Sequence, residues 1–209
     1  MESISHSGQI RIWLLSTIIM VVLMILIGGV TRLTDSGLSM VEWRPLWGFL
    51  PPISQFEWNR VFELYMKSPE YLFKNKGMSL EEFKEIFFWE YFHRLWGRLI
   101  GIIFIIPLLF FIIVKKLPKS ILSKLFLILF LGGLQGLIGW WMVKSGLVND
   151  PTVSQYRLTI HLSNALLILS LLIWVYLDVK EGVSQIKPDF SFFMFSILFI
   201  TIIALSLIH

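Results

Sequence analysis

The sequence of 209 residues contains no cysteine and few charged residues. The absence of cysteine excludes disulfide bonds, thiolate metal ligands, iron–sulfur clusters and covalent cofactor attachment through a CxxCH motif. Charged residues make up 15% of the chain, against about 25% in an average protein, and the formal net charge is only +4. The sequence contains no recognisable phosphate-binding loop and no Ser-His-Asp triad pattern. It also contains no nucleic-acid-binding motif, so no nucleic-acid partner is expected.

Apolar residues, by contrast, make up 56% of the chain and collect in five runs. A soluble protein of this length cannot bury so much apolar surface, and each run can cross a hydrocarbon core of about 30 Å as a helix. The sequence therefore predicts an all-α integral membrane protein, with a four-helix transmembrane bundle at residues 1–180 and one additional transmembrane helix at residues 181–209. The runs are residues 12–30, 87–114, 126–143, 152–177 and 190–208.

The distribution of lysine between the runs predicts the orientation of the chain. Only Lys144 lies between the third and fourth runs, whereas lysines are frequent after the second and fourth. Because short loops rich in Lys and Arg stay inside, the N-terminus is expected in the cytoplasm or its organellar equivalent, and residues 31–86 are expected outside. The inner lysines are Lys115, Lys116, Lys119, Lys124, Lys180 and Lys187.

The outer segment carries helix-start signals. Residues 54–57 and 79–82 both have the spacing of a capping box, and Met78 and Phe83 flank the second box as a hydrophobic staple. The helix that starts there is expected to continue into the second membrane span. Asp150-Pro151 predicts the start of the fourth span. The first capped helix is expected to have an apolar face made of Phe56, Val61, Phe62 and Tyr65.

Two of the histidines, His93 and His161, lie inside membrane runs, where polar groups are costly and often functional. His93 lies 22 residues before Lys115, and His161 lies 19 residues before Lys180. At about 1.5 Å per residue the imidazoles are about 33 and about 29 Å from the inner boundary. Matched depth on two helices of the same direction predicts one cofactor held from both sides, and haem is the best candidate. A hydrogen bond between the helices is the alternative, whereas zinc would need further ligands.

Charged residues near these histidines are candidates for contacts with a cofactor. Arg94 and Arg98 are close to the first histidine, and Arg157 lies one turn before the second. Arginine binds carboxylates such as propionates in a bidentate manner, although snorkelling to the interface explains the same positions. Glu90 lies three residues before the first histidine on the same helix face. It is expected to accept a proton or orient a bound group, or else to pair with a nearby arginine.

Glycines are also concentrated near the histidines. Gly97 and Gly101 follow His93 on its helix face and leave a groove that suits a flat cofactor. Close packing of helices is the alternative explanation. Gln135 is a polar amide in the middle of the third run, and bridging two helices is its simplest role. Further glycines occur in the first and third runs: Gly28, Gly29, Gly132, Gly133, Gly136 and Gly139.

At these residues the sequence resembles haem A synthase. Similar segments include GGVTRLTDSGLSMVEWRPLWGFLPP from residue 28, SPEY from 68, GMSLEEFKEIFFWEYFHRLWGRLIG from 77, GGLQGLIGWWMVKSGL from 132 and YRLTIHL from 156. The resemblance covers about residues 10–180 and is strongest to the mitochondrial and alphaproteobacterial branch. Another branch has a cysteine pair in the first outer loop. Because Met40 and Trp47 stand at those positions, no thiol relay is expected.

The resemblance implies an activity and a set of roles. Haem o would be converted to haem a, for cytochrome c oxidase assembly, by oxidation of a porphyrin methyl to a formyl group. His93 and His161 match the N-terminal pair of axial ligands, and Glu90 matches the catalytic acidic residue of an ExxH motif. The second half of the family's eight-helix enzyme, where haem b is expected, is absent here. Whether the chain is a fragment, a truncated gene product or half of a split enzyme stays open.

The same resemblance implies a location and partners. The inner membrane of a bacterium or a mitochondrion is expected, with haem o synthase, cytochrome oxidase assembly factors and a second copy of the chain as partners. Two other functions stay open. An electron-transfer cytochrome b subunit would use the same bis-histidine iron without forming haem a. A non-catalytic haem-binding remnant would bind haem without turnover.

Overall fold

The computed structural model describes residues 7–43, 49–148 and 151–181, which form six α-helices and no β-strand. Four of the helices are long and apolar enough to cross a membrane. The prediction of an all-α integral membrane protein is therefore confirmed. The helices are α1 (Ser7–Leu33), α2 (Gln55–Tyr65), α3 (Pro69–Phe73), α4 (Leu80–Ile113), α5 (Lys119–Gly146) and α6 (Gln155–Glu181), of which α1, α4, α5 and α6 are the candidate spans.

These four spans correspond to the first four predicted runs. The fifth run, residues 190–208, lies outside the described residues, as does nearly all of the predicted second domain at residues 181–209. The division of the chain at residue 180 therefore stays a prediction.

The start of α4 follows from its capping box. The Glu82 backbone N–H donates to Ser79 Oγ at 3.3 Å, and Glu82 Oε2 accepts from the Ser79 N–H at 2.7 Å. Met78 packs on the same aromatic cluster as Phe83, as predicted for a staple. The helix has 34 residues, so it spans about 51 Å, well beyond a hydrocarbon core of about 30 Å. The end of the outer segment and the second span are therefore one helix, as predicted.

A proline lies inside α4 and is accommodated by a tryptophan of α1. Pro107 has no N–H, so the carbonyl four residues earlier, that of Ile103, loses its helical partner. The indole N–H of Trp13 donates to that carbonyl at 3.0 Å. The Trp13 ring also packs on Phe104 and Phe111, with ring centroids 5.5 and 5.6 Å away. Since unpaired backbone groups are costly in lipid, this hydrogen bond explains why the proline is tolerated.

The contacts divide the described chain into two units. Unit 1 contains residues 7–23, 99–136 and 159–181, and unit 2 contains residues 24–43, 49–98, 137–148 and 151–158. In unit 1, the Lys124 ammonium of α5 forms an ion pair with the Asp178 carboxylate of α6 and lies 4.0 Å from the Trp174 ring centroid. Asp178 is only 3% exposed, so loss of this partner would leave a buried carboxylate unpaired.

The outer segment of unit 2 packs around an aromatic cluster that includes Tyr65 and Phe83. These two side chains are fully buried, with ring centroids 5.0 Å apart, and such pairs contribute about 0.5–1.5 kcal/mol beyond the burial of their surface. Val61 and Phe62 of α2 pack on the cluster as predicted. The prediction is wrong for Phe56, which is 77% exposed. At about 100° per residue it lies on the opposite side of α2 from Tyr65.

Asp150 lies outside the described residues, but the predicted start of the fourth span at Pro151 is wrong, because α6 begins only at Gln155. The Ser154 carbonyl accepts the first helical hydrogen bond, from the Leu158 N–H at 3.0 Å. The Ser154 N–H donates to Ser145 Oγ of α5, also at 3.0 Å. The chain before α6 is therefore held against the end of α5, and the helix starts where that contact ends.

Gly146, the last residue of α5, is required by the close approach of two other segments. A Cβ atom on this residue would lie 2.6 Å from Leu38 Cδ1 and 2.9 Å from the Thr152 carbonyl oxygen. Leu38 is buried in the segment after α1. Because a backbone oxygen cannot move aside cheaply, only glycine leaves enough room here.

Candidate functional site

The carboxylate of Glu90 in α4 is 2% exposed and is held by three donors. Its Oε2 accepts from the Ser39 hydroxyl at 2.7 Å and from the Met40 N–H at 2.6 Å. Its Oε1 is paired with the Arg94 guanidinium, one turn later on the same helix. Arg94 also donates to the Met40 carbonyl at 3.2 Å. Glu90 and Arg94 together therefore fix the segment after α1 onto α4.

Arg94 and Arg98 line one cavity of about 300 Å³ in unit 2, which is at the lower end of the range for ligand pockets, about 300–1,000 Å³. The guanidinium of Arg98 lies 5.4 Å from the Phe49 ring centroid. Arg60 and Glu42 also line the cavity and form a two-point ion pair, with contacts of 2.9 and 3.1 Å. Two of the three arginines predicted from the sequence are thus brought together.

The third predicted arginine, Arg157, is engaged by α5. One of its guanidinium nitrogens donates to the Trp141 carbonyl at 2.7 Å, and the guanidinium lies 4.4 Å from the centroid of the same tryptophan. A carboxylate that bound Arg157 would compete with this carbonyl.

His93, also in unit 2, points Nε2 towards α1. A Cβ atom on Gly28 would lie 3.4 Å from His93 Nε2, so the glycine leaves a space of methyl size beside the ring nitrogen. Gly97 meets α1 too, since a Cβ atom there would lie 3.3 Å from Met24 Cε. At Gly97 the structure shows packing of two helices. At Gly28 the space adjoins an atom that can bind a metal.

His161 belongs to unit 1 and takes part in a polar network with Gln135 and Asn164. Gln135 Nε2 lies 3.3 Å from His161 Nε2 and donates to the His161 carbonyl at 3.1 Å. Asn164 Nδ2 donates to Gln135 Oε1 at 2.7 Å and to the Leu131 carbonyl at 3.1 Å. Gln135 has the bridging role expected from its position. The role of Asn164 in this network is not predicted from the sequence. Its position three residues after a histidine in a membrane span is the sequence signal that indicates it.

In the described part of the chain, neither histidine has the companion ligands that a bare metal ion would need. Over the described ranges, no three or more His, Cys, Asp or Glu side chains form a group that could hold a metal ion. A haem iron needs only imidazole ligands from the protein. Next to Gln135 in unit 1, Gly132, Gly133 and Gly136 are exposed on α5, and Cβ atoms on them would meet no atom within 4 Å. In unit 2, Gly28 leaves space beside His93.

A second buried carboxyl lies in the outer segment of unit 2. Glu70 belongs to α3, a short helix that the sequence analysis does not predict. The Tyr65 hydroxyl donates to Glu70 Oε2 at 3.0 Å, and Asn75 donates to the Tyr65 oxygen at 2.7 Å. Burial raises the pKa of Glu70 to about 7; the Tyr65 hydrogen bond opposes this rise, and the charge of Glu90 adds to it. Glu70 therefore titrates near neutral pH.

A protein-family model described as cytochrome oxidase assembly protein, COX15-CtaA, matches residues 11–208. The chain belongs to the COX15-CtaA family. The match includes every residue of the site described above. It also confirms the resemblance on which the sequence-based roles depend.

Curated relatives of this COX15-CtaA chain carry the name heme A synthase. The protein of Nitrosospira multiformis is 56% identical over 170 residues, which are 81% of this chain and 48% of the relative. The protein of Parvibaculum lavamentivorans is 48% identical over 172 residues, which are 82% of this chain and 50% of the relative. The protein of Granulibacter bethesdensis is 51% identical over 168 residues, which are 80% of this chain and 45% of the relative. The chain spans about half the length of the curated relatives it matches. No solved structure matches it.

Proposed function

We propose that this COX15-CtaA chain binds haem o and takes part in its conversion to haem a. His93 and His161 are the axial ligands of the iron in this proposal. The observation that carries it is the histidine pair: the two residues lie at matched depth in α4 and α6 by sequence, and the surroundings of each suit a ligand. The relatives named heme A synthase support the same assignment.

The reaction is the oxidation of one porphyrin methyl carbon. Two successive hydroxylations of that carbon, each taking its oxygen from water and passing two electrons to an external acceptor and two protons to solvent, give a geminal diol, which loses water to give the aldehyde. The iron belongs to the substrate and supplies the redox chemistry, whereas the chain supplies position and electrostatics. The residues of the chain therefore need to hold the macrocycle, orient the reacting edge and neutralise the propionates.

Glu90 is the orienting carboxylate of this site. It holds Arg94 and the Met40 backbone in fixed positions, and Arg94 shares its cavity with Arg98. Two arginines at one cavity provide the planar, charged donors that propionates prefer. Arg157 is a third propionate contact if a carboxylate displaces the Trp141 carbonyl. Gly97 contributes by keeping α1 close to α4.

The proposed location is the inner membrane of a bacterium or a mitochondrion, with the N-terminus in the cytoplasm or matrix. The lysine-rich loop after α4 supports this orientation. Because the chain has no cysteine, Lys116→Cys and Leu50→Cys introduce unique thiols on opposite sides. A membrane-impermeant maleimide added outside intact cells should label Leu50→Cys and leave Lys116→Cys unlabelled; the reverse result would contradict the orientation.

The conversion is tested with the 209-residue chain, supplied with haem o and an electron acceptor. The extracted porphyrin should gain one oxygen and lose two hydrogens, measured by mass spectrometry. Ser16→Ala is a suitable control, since its hydroxyl bonds to the Ile12 carbonyl in its own helix. Bound haem o that is never modified, alone or together with a full-length relative's C-terminal half, would contradict the proposed conversion and favour a purely haem-binding role.

A further inference from the structure

Three contacts of Gln135 fix the orientation of its amide. Its Nε2 lies 3.1 Å from the His161 carbonyl oxygen and 3.3 Å from His161 Nε2, and its Oε1 accepts from Asn164 Nδ2 at 2.7 Å. A reversed amide would place oxygen against the carbonyl and NH2 against NH2, so it would lose these bonds. Asn164 is itself held, because its Nδ2 also donates to the Leu131 carbonyl at 3.1 Å.

The amide orientation determines the tautomer of the His161 ring. The NH2 group of Gln135 has two N–H bonds, and its two contacts with His161 use both. Since one N–H points at His161 Nε2, that nitrogen is the acceptor, and the neutral ring carries its proton on Nδ1. The lone pair that an iron atom would need at Nε2 is therefore available, and in this structure Gln135 binds it.

We propose that Gln135 is a positioning residue that makes His161 the exchangeable axial ligand, by giving Nε2 a second partner whenever the iron leaves. The inference rests on the proposed function, in which haem is a substrate and has to enter and leave. Exchange at His161 replaces the iron bond by an amide hydrogen bond, so no imidazole lone pair is left unpaired within the membrane span. His93 differs, because its Nε2 faces Gly28, which offers no side-chain donor.

The size of the effect follows from the bond that Gln135 offers. A neutral hydrogen bond of this kind changes an equilibrium constant by about 2- to 10-fold. Removing the amide removes the competitor of the iron, so haem should dissociate more slowly by about this factor. If Gln135 merely joined two helices, its removal would loosen the site and accelerate haem loss.

The test uses the 209-residue chain in detergent, with and without haem o. Gln135→Leu removes the amide, and Asn164→Leu removes the group that orients it. Ser170→Ala on α6 is the matched control, because its hydroxyl bonds to the Leu166 carbonyl in its own helix. Haem loss is measured by transfer to excess apomyoglobin. The ring tautomer of His161 is measured in the haem-free protein by ¹⁵N chemical shifts.

We expect the Nδ1–H tautomer in the wild-type chain and mixed tautomers in Gln135→Leu. Compared with the wild type, haem loss should be about 2- to 10-fold slower in Gln135→Leu and also slower in Asn164→Leu. It should be unchanged in Ser170→Ala and much faster in His161→Ala. Unchanged or faster loss from Gln135→Leu, or an Nε2–H tautomer in the wild type, overturns the inference. If His161→Ala loses haem no faster than the wild type, the proposed ligation itself is wrong.

Discussion

Ser39 Oγ donates a 2.7 Å hydrogen bond to Glu90 Oε2. This oxygen is closer to the hydroxyl than the two backbone carbonyl oxygens that also lie within hydrogen-bond distance of it. This bond links the segment after α1 to the helix that carries His93, one turn beyond Glu90. With Met40 and Arg94 as its other donors, each oxygen of the carboxylate accepts at least one hydrogen bond. Its arrangement is that of a group that positions its neighbours.

Removing the Ser39 hydroxyl should loosen the segment after α1. Ser39→Ala deletes one hydrogen bond to a buried charged group, which costs about 1–3 kcal/mol. Glu90→Gln should loosen it more, because an amide turns an N–H towards at least one of the existing donors. Hydrogen exchange of residues 34–43 measures both effects, with Ser16→Ala as the control. Wild-type exchange in Glu90→Gln would contradict the assigned role of this carboxylate.

The stability of the outer segment should depend on pH through Glu70. The folded carboxyl has a pKa of about 7 against its usual 4.5, so the folded state binds the proton more tightly than the unfolded state. The stabilising contribution is therefore complete below about pH 4.5 and is lost as the pH rises through 7. The loss should be about 1–3 kcal/mol.

Hydrogen exchange of residues 55–75 between pH 5 and 8, corrected for intrinsic rates, measures this pH dependence. Glu70→Gln should abolish the dependence and keep the segment protected at the higher pH. Glu81→Gln is the matched control, since the Glu81 side chain is 80% exposed. An equal slope in Glu70→Gln and in the wild type would show that another group is responsible.

The spans and both capping boxes of the outer segment are predictable because they depend on local sequence. A long apolar run, or a serine three residues before a glutamate, needs no distant partner. The start of α6 is not predictable in this way, because the contact between Ser154 and Ser145 overrides the local preference of Pro151. For α3, Ser68-Pro69 is a good start signal, but five residues are too few to show a helical period.

The same distinction applies to the site. His93, Glu90 and Arg94 could be grouped because they lie within one turn of each other on one helix. Ser39 could not, since 51 residues separate it from Glu90. The glycines also show this limit: the sequence indicates a groove at Gly97 rather than at Gly28, and only the structure shows that Gly97 contacts a methionine whereas Gly28 leaves the space beside a histidine.

Adjacent glycines in α1 should respond differently to substitution. Gly28→Val fills the space beside His93 Nε2, whereas a Cβ atom on Gly29 would meet no atom within 4 Å. Overpacking costs about 1–3 kcal/mol, so Gly28→Val should weaken haem o binding by about 5- to 160-fold. Titration with haem o, followed by absorbance, measures this. Equal weakening in Gly29→Val would show a general effect on α1 rather than on His93.

Lys124 and Asp178 in unit 1 should stabilise the fold only when both charges are present. Asp178→Asn leaves the ammonium without its partner and should cost about 1–3 kcal/mol, less than for a fully buried pair, because the Lys124 side chain is 24% exposed. The double variant Lys124→Met/Asp178→Leu should recover most of this loss. Thermal unfolding in detergent measures all three proteins, and a double variant less stable than Asp178→Asn would contradict the expectation.

Coordination of one haem iron by His93 and His161 is tested most directly by electron paramagnetic resonance of the ferric haem o complex. The wild-type chain should give the low-spin spectrum of two axial imidazoles. His93→Ala and His161→Ala should each give a high-spin spectrum, and added imidazole should restore the low-spin signal. A low-spin spectrum retained in either single variant without added imidazole would contradict the assignment of that histidine.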